Sequence, residues 1–294
     1  MIFLSNLVNG ISLGSIYAII ALGYTMVYGI AKMLNFAHGD VIMIGAYIAF
    51  CALQYWNVPP LLALLIAMAF CTLLGITIEG LAYRPLRQAT SLAVLITAIG
   101  MSYLLQNLAL LIWGANPKNF PSSMIQLSAI SLFGEQLRIS GVTLVTILAN
   151  IVIMILLTSF TMHTKLGKAM RCVSEDRGAA ELMGINVNRT ISATFAIGSA
   201  LAAIAGILLC SAYPTLMPTT GSMPGIKAFT AAVFGGIGSI PGAMLGGILL
   251  GVIEILGKAY ISTELGDAIV FAVLIIVLLV KPTGLLGKPQ REKV

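Results

Sequence analysis

Charge is what this sequence has least of. Of its 294 residues 9% are charged, against about 25% in an ordinary soluble domain. Hydrophobic residues make up 59% and the mean hydropathy is +1.03. A water-exposed globule is excluded. Cysteine is scarce as well. Cys51, Cys71, Cys172 and Cys210 form no CxxC pair, which gives neither a disulfide framework nor a metal site. Histidine occurs at His38 and His163 only, and His163 is expected in solvent at the end of a span. HExxH is absent, and the GxSxG match at 10–14 (GISLG) falls inside an apolar span and not on a strand-to-helix turn, which leaves the common intramembrane and hydrolytic enzyme readings without support. No GxxxxGKS or GxxxxGKT occurs, so the chain cradles no nucleotide by itself. The expectation is no catalytic residue, no metal and no cofactor on this chain. The first Lys or Arg is Lys32. The basic n-region of a signal peptide is therefore missing, and an uncharged amino terminus is free to lie outside.

Apolar stretches are what the chain has instead, and they recur at about 20 residues, the length that crosses a bilayer. The expected fold class is an all-α polytopic membrane protein, a single transmembrane domain over 1–294. Expected spans are 7–30, 41–53, 60–83, 91–113, 142–160, 190–212 and 268–280. The second has only 13 residues. It crosses only if 35–40 (NFAHGD) also lies at membrane depth, where polar backbone must be buried in protein or line a wet cavity. Asn35, His38 and Asp40 are then pathway candidates; the alternative is an ordinary cytoplasmic turn, which Lys32 favours. Both readings stand open. Glu79, about one turn from the end of its span, is expected to snorkel or pair with a nearby arginine. Gln106 and Asn107 are expected to bond between helices.

Eleven of the 16 Lys and Arg fall in three places: Arg84 with Arg87, five within 165–189, and Lys281, Lys288, Arg291 and Lys293. The positive-inside rule puts all three in the cytoplasm, so the net charge of +6 reports topology and not nucleic acid. Segment 165–189 (KLGKAMRCVSEDRGAAELMGINVNR) is the longest internal run that no membrane could hold. It reads as helix, turn, helix, with Glu175 and Asp176 before the second helix and Gly184 just past its end, which suits the helix dipole and a left-handed cap. The short helix presents small residues. A segment of this kind touches something soluble. On the opposite face, 114–140 reads as an ordered loop with a small hairpin.

Residues 226–258 read as a re-entrant hairpin: a half-helix, a tight Gly/Pro break at depth marked by Pro241, and a return helix to about Lys258. Glu254 and Lys258 have the favourable i, i+4 order and are expected as a structural pair near the outer interface. Counting this hairpin as two full spans would put the tail cations outside, against the positive-inside rule.

The stretches NGISLGSIYAIIALGYTMVYGI (9–30), NFAHGD (35–40), AYRPLR (82–87), ELMGIN (181–186) and KAFTAAVFGGIGSIPGAMLGG (227–247) carry a resemblance along the whole chain. It resembles the LivH-type permease subunits of bacterial branched-chain amino-acid ABC importers. The resemblance implies a type II importer-like permease with about eight membrane segments in the bacterial inner membrane, its carboxyl terminus cytoplasmic. It implies a paralogous LivM-like second permease, two ABC ATPase subunits carrying ATP and Mg, and an extracytoplasmic amino-acid-binding protein meeting 114–140 and 213–225. Segment 165–189 would hold the ATPase-coupling helix, with Glu175, Asp176, Ala179, Ala180, Gly184, Ile185 and Asn186 as coupling residues. The general motif, Glu-Ala-Ala, three residues, Gly, matches at Ala179, Ala180 and Gly184, whereas Gly178 stands at its Glu position. Pathway candidates are Asn35, Phe36, His38, Asp40, Phe234, Gly235 and Gly236.

Other readings remain at this stage. Within the family the cargo could be urea, a short-chain amide or another amino acid. An ion-coupled secondary transporter would place essential acids at mid-membrane, and here Asp40 alone qualifies, since Glu79, Glu254, Glu264 and Asp267 lie near span ends.

Overall fold

The structure, a computed structural model, describes residues 2–125, 127–132 and 137–287. The expectation for Lys288, Arg291 and Lys293 lies outside them. The described residues form eleven α-helices and two short strand pairs.

Helix α1 (Ile2–Ala31) is the hub, buried all round from residue 12 to 27, as expected of a helix hydrophobic on every face. It is enclosed by α5 (Gly141–His163), α8 (Val187–Ala212), α9 (Ser222–Gly235) and α10 (Ile240–Tyr260), while α2 (His38–Gln54) packs on α8 and α3 (Pro60–Ile78) and meets α1 through His38. Helices α3, α4 (Ser91–Trp113) and α11 (Gly266–Val280) lie outside these and expose Leu73, Leu111 and Leu279. Helices α1, α3 with its continuation to Tyr83, α4, α5, α8 and α10 are long and apolar enough to cross a membrane; α2 and α11 are shorter apolar helices.

Lipid offers little apolar driving force between helices, so close backbone approach must hold them together. Helices α1 and α10 run antiparallel and achieve it with small residues four apart. A Cβ on Gly251 would stand 2.2 Å from the Cα of Gly14, and one on Gly247 2.5 Å from the Cα of Ala18. Helix starts are fixed locally: Ser140, Thr164, Asp176, Asn186 and Ser239 each accept a hydrogen bond from the backbone N–H three residues on, which satisfies one orphan donor apiece. Helix α3 ends in a π-turn, Glu79–Tyr83, whose first and last side chains are both buried.

The 226–258 hairpin is present as α9, a turn and α10. Gly236 (φ 103°) and Gly238 (φ 95°) hold conformations that side chains rarely adopt. The turn does not lie deep: a Cβ on Gly29, near the end of α1, would stand 3.2 Å from the Cα of Gly238. The end that lies deep is the start of α9, where a Cβ on Gly221 would stand 1.8 Å from the carbonyl oxygen of Gly39. The segment after α11 covers the carbonyl end of α9. Leu285 and Leu286 donate backbone hydrogen bonds to Phe234 and Gly235, each 2.9 Å.

At the opposite end, β2 (Ile130–Leu132) and β3 (Leu137–Ile139) form the expected hairpin. A second pair joins β1 (Lys118–Asn119) to β4 (Thr215–Leu216), so the loops after α4 and α8 are one surface.

Candidate translocation site and coupling surface

Residues 35–40, the end of the link after α1 and the first turn of α2, are enclosed by protein. Asn35 is 4% exposed, His38 1% and Asp40 2%, which is not the exposure of an open cytoplasmic turn. Each is held from a different helix. Tyr83, from the π-turn, donates its hydroxyl to Asn35 Oδ1 at 2.9 Å. Gln106 Nε2, from α4, donates to Asp40 Oδ1 at 2.9 Å and reaches Ser222 Oγ at the start of α9 at 3.2 Å. The His38 ring meets Tyr24 edge-on, centroids 4.6 Å apart, and its Nε2 has no hydrogen-bond partner among the described residues. Phe36 and Tyr24 both pack on Phe229 of α9, at 5.6 and 5.7 Å. Thus α2 and α9 both start inside the bundle beside Tyr24, with their positive dipole ends turned inward. Gln106 bonds between helices as expected. Asn107 does not; it donates to Tyr103 O in its own helix and is exposed.

A cavity of about 10 Å³, lined by Tyr24, Tyr28, Asn35, Phe229 and Ile237 among others, lies beneath this cluster. That holds about one water and is closed to an amino acid. Phe234, Gly235 and Gly236 do not join Asp40. They sit at the far end of α9, under the 284–287 segment. The structure therefore separates the two groups of candidates along the length of α9.

Sequence reasoning missed a buried charge cluster. Glu254 Oε1 accepts from Lys258 Nζ (2.6 Å), the expected pair, and also from Lys227 Nζ (2.8 Å), while Oε2 accepts from the Tyr17 hydroxyl (2.9 Å). Lys227 further pairs with Asp267 at 2.6 Å. The signal was a lone lysine opening an apolar run. Tyr17, Tyr24 and Tyr28 gave another, since spacings of seven and eleven share one helix face.

The 165–189 segment, expected to hold the coupling helix, folds as α6 (Lys165–Glu175) and α7 (Arg177–Leu182). Asp176 caps α7, accepting from Ala179 N at 3.0 Å, and Gly184 (φ 82°) closes it. Glu175, Ala179, Gly184 and Asn186 are exposed and Ile185 half-buried. Ala180 is not on the surface; it is 3% exposed and packs inward. The projecting side chains are Leu182 (90% exposed) and Met183 (82%), so the tip presents two large apolar groups where small residues were expected. Two contacts root this segment in the bundle. Arg177 donates to the carbonyl of Ala31. Arg87 donates to Glu79 and to Asn188, and Glu79 accepts from Ser192 (2.6 Å); Glu79 is thus paired as expected, though buried.

An all-helical bundle with polar half-helix ends at its centre and a helical pair projecting from one end is the build of a multi-pass membrane transport subunit. Residues 6–278 match the family model described as branched-chain amino acid transport system / permease component, and the chain belongs to that family. It is 47% identical to the high-affinity branched-chain amino acid transport system permease protein LivH of Salmonella typhimurium and, equally, to BraD of Pseudomonas aeruginosa, over 99% of this chain and 98% of each relative. The fold is shared with a chain of the solved structure of PsaBC from Streptococcus pneumoniae in complex with Fab, at TM-score 0.50 and 15% identity over 94% of this chain and 91% of that one.

Proposed function

We propose that this chain is the membrane-spanning subunit of an ATP-driven importer in the bacterial inner membrane, and that it moves the branched-chain amino acids Leu, Ile and Val inward. The observation that carries this reading is the 47% identity over 99% of the chain to permeases so described. Two separate ATPase subunits supply the energy, holding ATP and Mg themselves; a paralogous LivM-like permease completes the pathway; an extracytoplasmic binding protein delivers the substrate.

The orientation follows from charge. Arg84, Arg87 and the five cations of 165–189 gather at one end, which the positive-inside rule assigns to the cytoplasm. The amino terminus then lies outside and the carboxyl terminus inside. The joined loops of the β1–β4 pair form the outer face that receives the binding protein. Leu182 and Met183 enter a groove on the ATPase, and Arg177 passes its movement to the end of α1. From there, the short link through Asn35 to Asp40 shifts the inner ends of α2 and α9 and opens the closed centre.

Co-purification from the native cell in mild detergent tests this. A second permease and two ATPases are expected with the tagged chain, with ATP hydrolysis raised by a leucine-loaded binding protein. A lone chain taking up substrate on an ion gradient would overturn it.

A further inference from the structure

Arg84 and Arg189 stand apart from the other arginines of this end, of which Arg171 reaches Met162. Arg87 is committed to Glu79 and Asn188, and Arg177 to Ala31. Neither Arg84 nor Arg189 has an ion pair or a side-chain hydrogen bond among the described residues, and both are exposed. They line one open groove of about 550 Å³ between the end of α3 and the start of α8. Asn186 adds an amide at its rim, and the start of α8 turns its positive dipole toward the same space. Asn188 and Ser192 also line it, their side chains already bonded to Arg87 and Glu79, and the remaining wall is apolar, from Ile76, Ala193 and Ala196. Ile76 is 41% exposed on the outward side of α3.

We infer that this groove is a binding site for an anionic phospholipid of the inner leaflet. Arg84 and Arg189 clasp the headgroup phosphate, and an acyl chain runs along Ile76 and Ala196. The chemistry favours this occupant on two grounds. Guanidinium groups match phosphate oxygens in geometry and charge, and the groove is polar at one end and apolar toward the spans, as a lipid is. A free phosphate would use only the first half, and an acidic protein segment would leave the apolar wall uncovered. The inference rests on the inward orientation of this end, but not on the cargo or on coupling.

Native mass spectrometry on the full chain, as purified with its co-purifying subunits, tests it with added phosphatidylglycerol and phosphatidylcholine as probes. The unaltered protein should retain phosphatidylglycerol in preference to phosphatidylcholine. Arg84→Gln with Arg189→Gln should weaken phosphatidylglycerol about thirtyfold, the scale for two cations at an anionic surface, while Lys118→Gln in the outer loop leaves it unchanged. Arg84→Lys with Arg189→Lys keeps the charge and should keep most of the binding, which holds the test open if the glutamine pair fails to fold. Equal binding by the glutamine pair, loss of preference for the anionic lipid, displacement of the lipid by equimolar inorganic phosphate, or a photo-crosslink from position 76 to a protein subunit would each overturn the assignment. A chain that binds the lipid yet imports a different cargo would leave this site standing and remove the branched-chain reading.

Discussion

Arg177, the first residue of α7, donates its guanidinium hydrogen bond to the carbonyl of Ala31, the last residue of α1, across 146 positions of sequence. That carbonyl has no partner within its helix and lies at the negative end of the dipole. Burial first, and the nearby charge of Arg87 second, lower the Arg177 pKa from its ordinary value; the group stays charged at neutral pH. Arg177→Ala should leave the subunits assembled and lower coupled uptake about tenfold, the scale of one charged hydrogen bond. Uptake into vesicles per ATP hydrolysed checks it, and an unchanged ratio would remove Arg177 from the coupling route.

Leu182→Ser with Met183→Ser should strip the ATPases from the purified permease, because exposed large side chains of this kind carry docking energy once buried. The membrane bundle should keep its thermal stability, since neither side chain packs inside. Ala180→Trp is a poorer probe. Ala180 is buried, so a large ring there would disrupt α7 itself.

Asp40→Asn retains an acceptor for Gln106 and should therefore fold. It removes the charge at the inner end of α2. Uptake should fall about tenfold, as for loss of one charge-assisted contact, with the purified complex intact. Unchanged uptake would make 35–40 a packed link with no part in the pathway.

Glu254→Gln leaves the side chain of Lys258 without its carboxylate and Lys227 with Asp267 alone. Breaking one partner of a buried pair costs about 3 kcal/mol or more. The melting midpoint in detergent should drop, and Glu254→Leu with Lys227→Leu should recover much of it. A double variant no better than the single would show that the cluster contributes more than charge balance.

The spans, caps and hairpins were legible because they are local. Asp176 starts α7 and Gly184 closes it, as the acids and glycine of that segment implied, and α4 begins and ends where composition placed it, at Ser91 and Trp113. Partners across helices were not legible. Tyr83 finds Asn35 over 48 positions, Lys227 finds Glu254 over 27, and Ser192 finds Glu79 over 113. Such pairs depend on helix rotation and height, which glycine contacts such as Gly14 with Gly251 set and which composition does not encode. The exposure of Leu182 and the burial of Ala180 depend on how α7 lies against α8, and motif matching alone reads them in reverse. Asp40 and Gly235 share a matched family pattern yet lie at opposite ends of α9, because a motif marks membership and not proximity.

Uptake of radiolabelled leucine into proteoliposomes holding the co-purified complex tests the account most directly. With ATP enclosed on the ATPase side and leucine-loaded binding protein on the other, leucine should accumulate, and it should stop when ATP is replaced by a non-hydrolysable analogue. Accumulation driven by a proton or sodium gradient, without ATP and without the binding protein, would contradict the account at its centre.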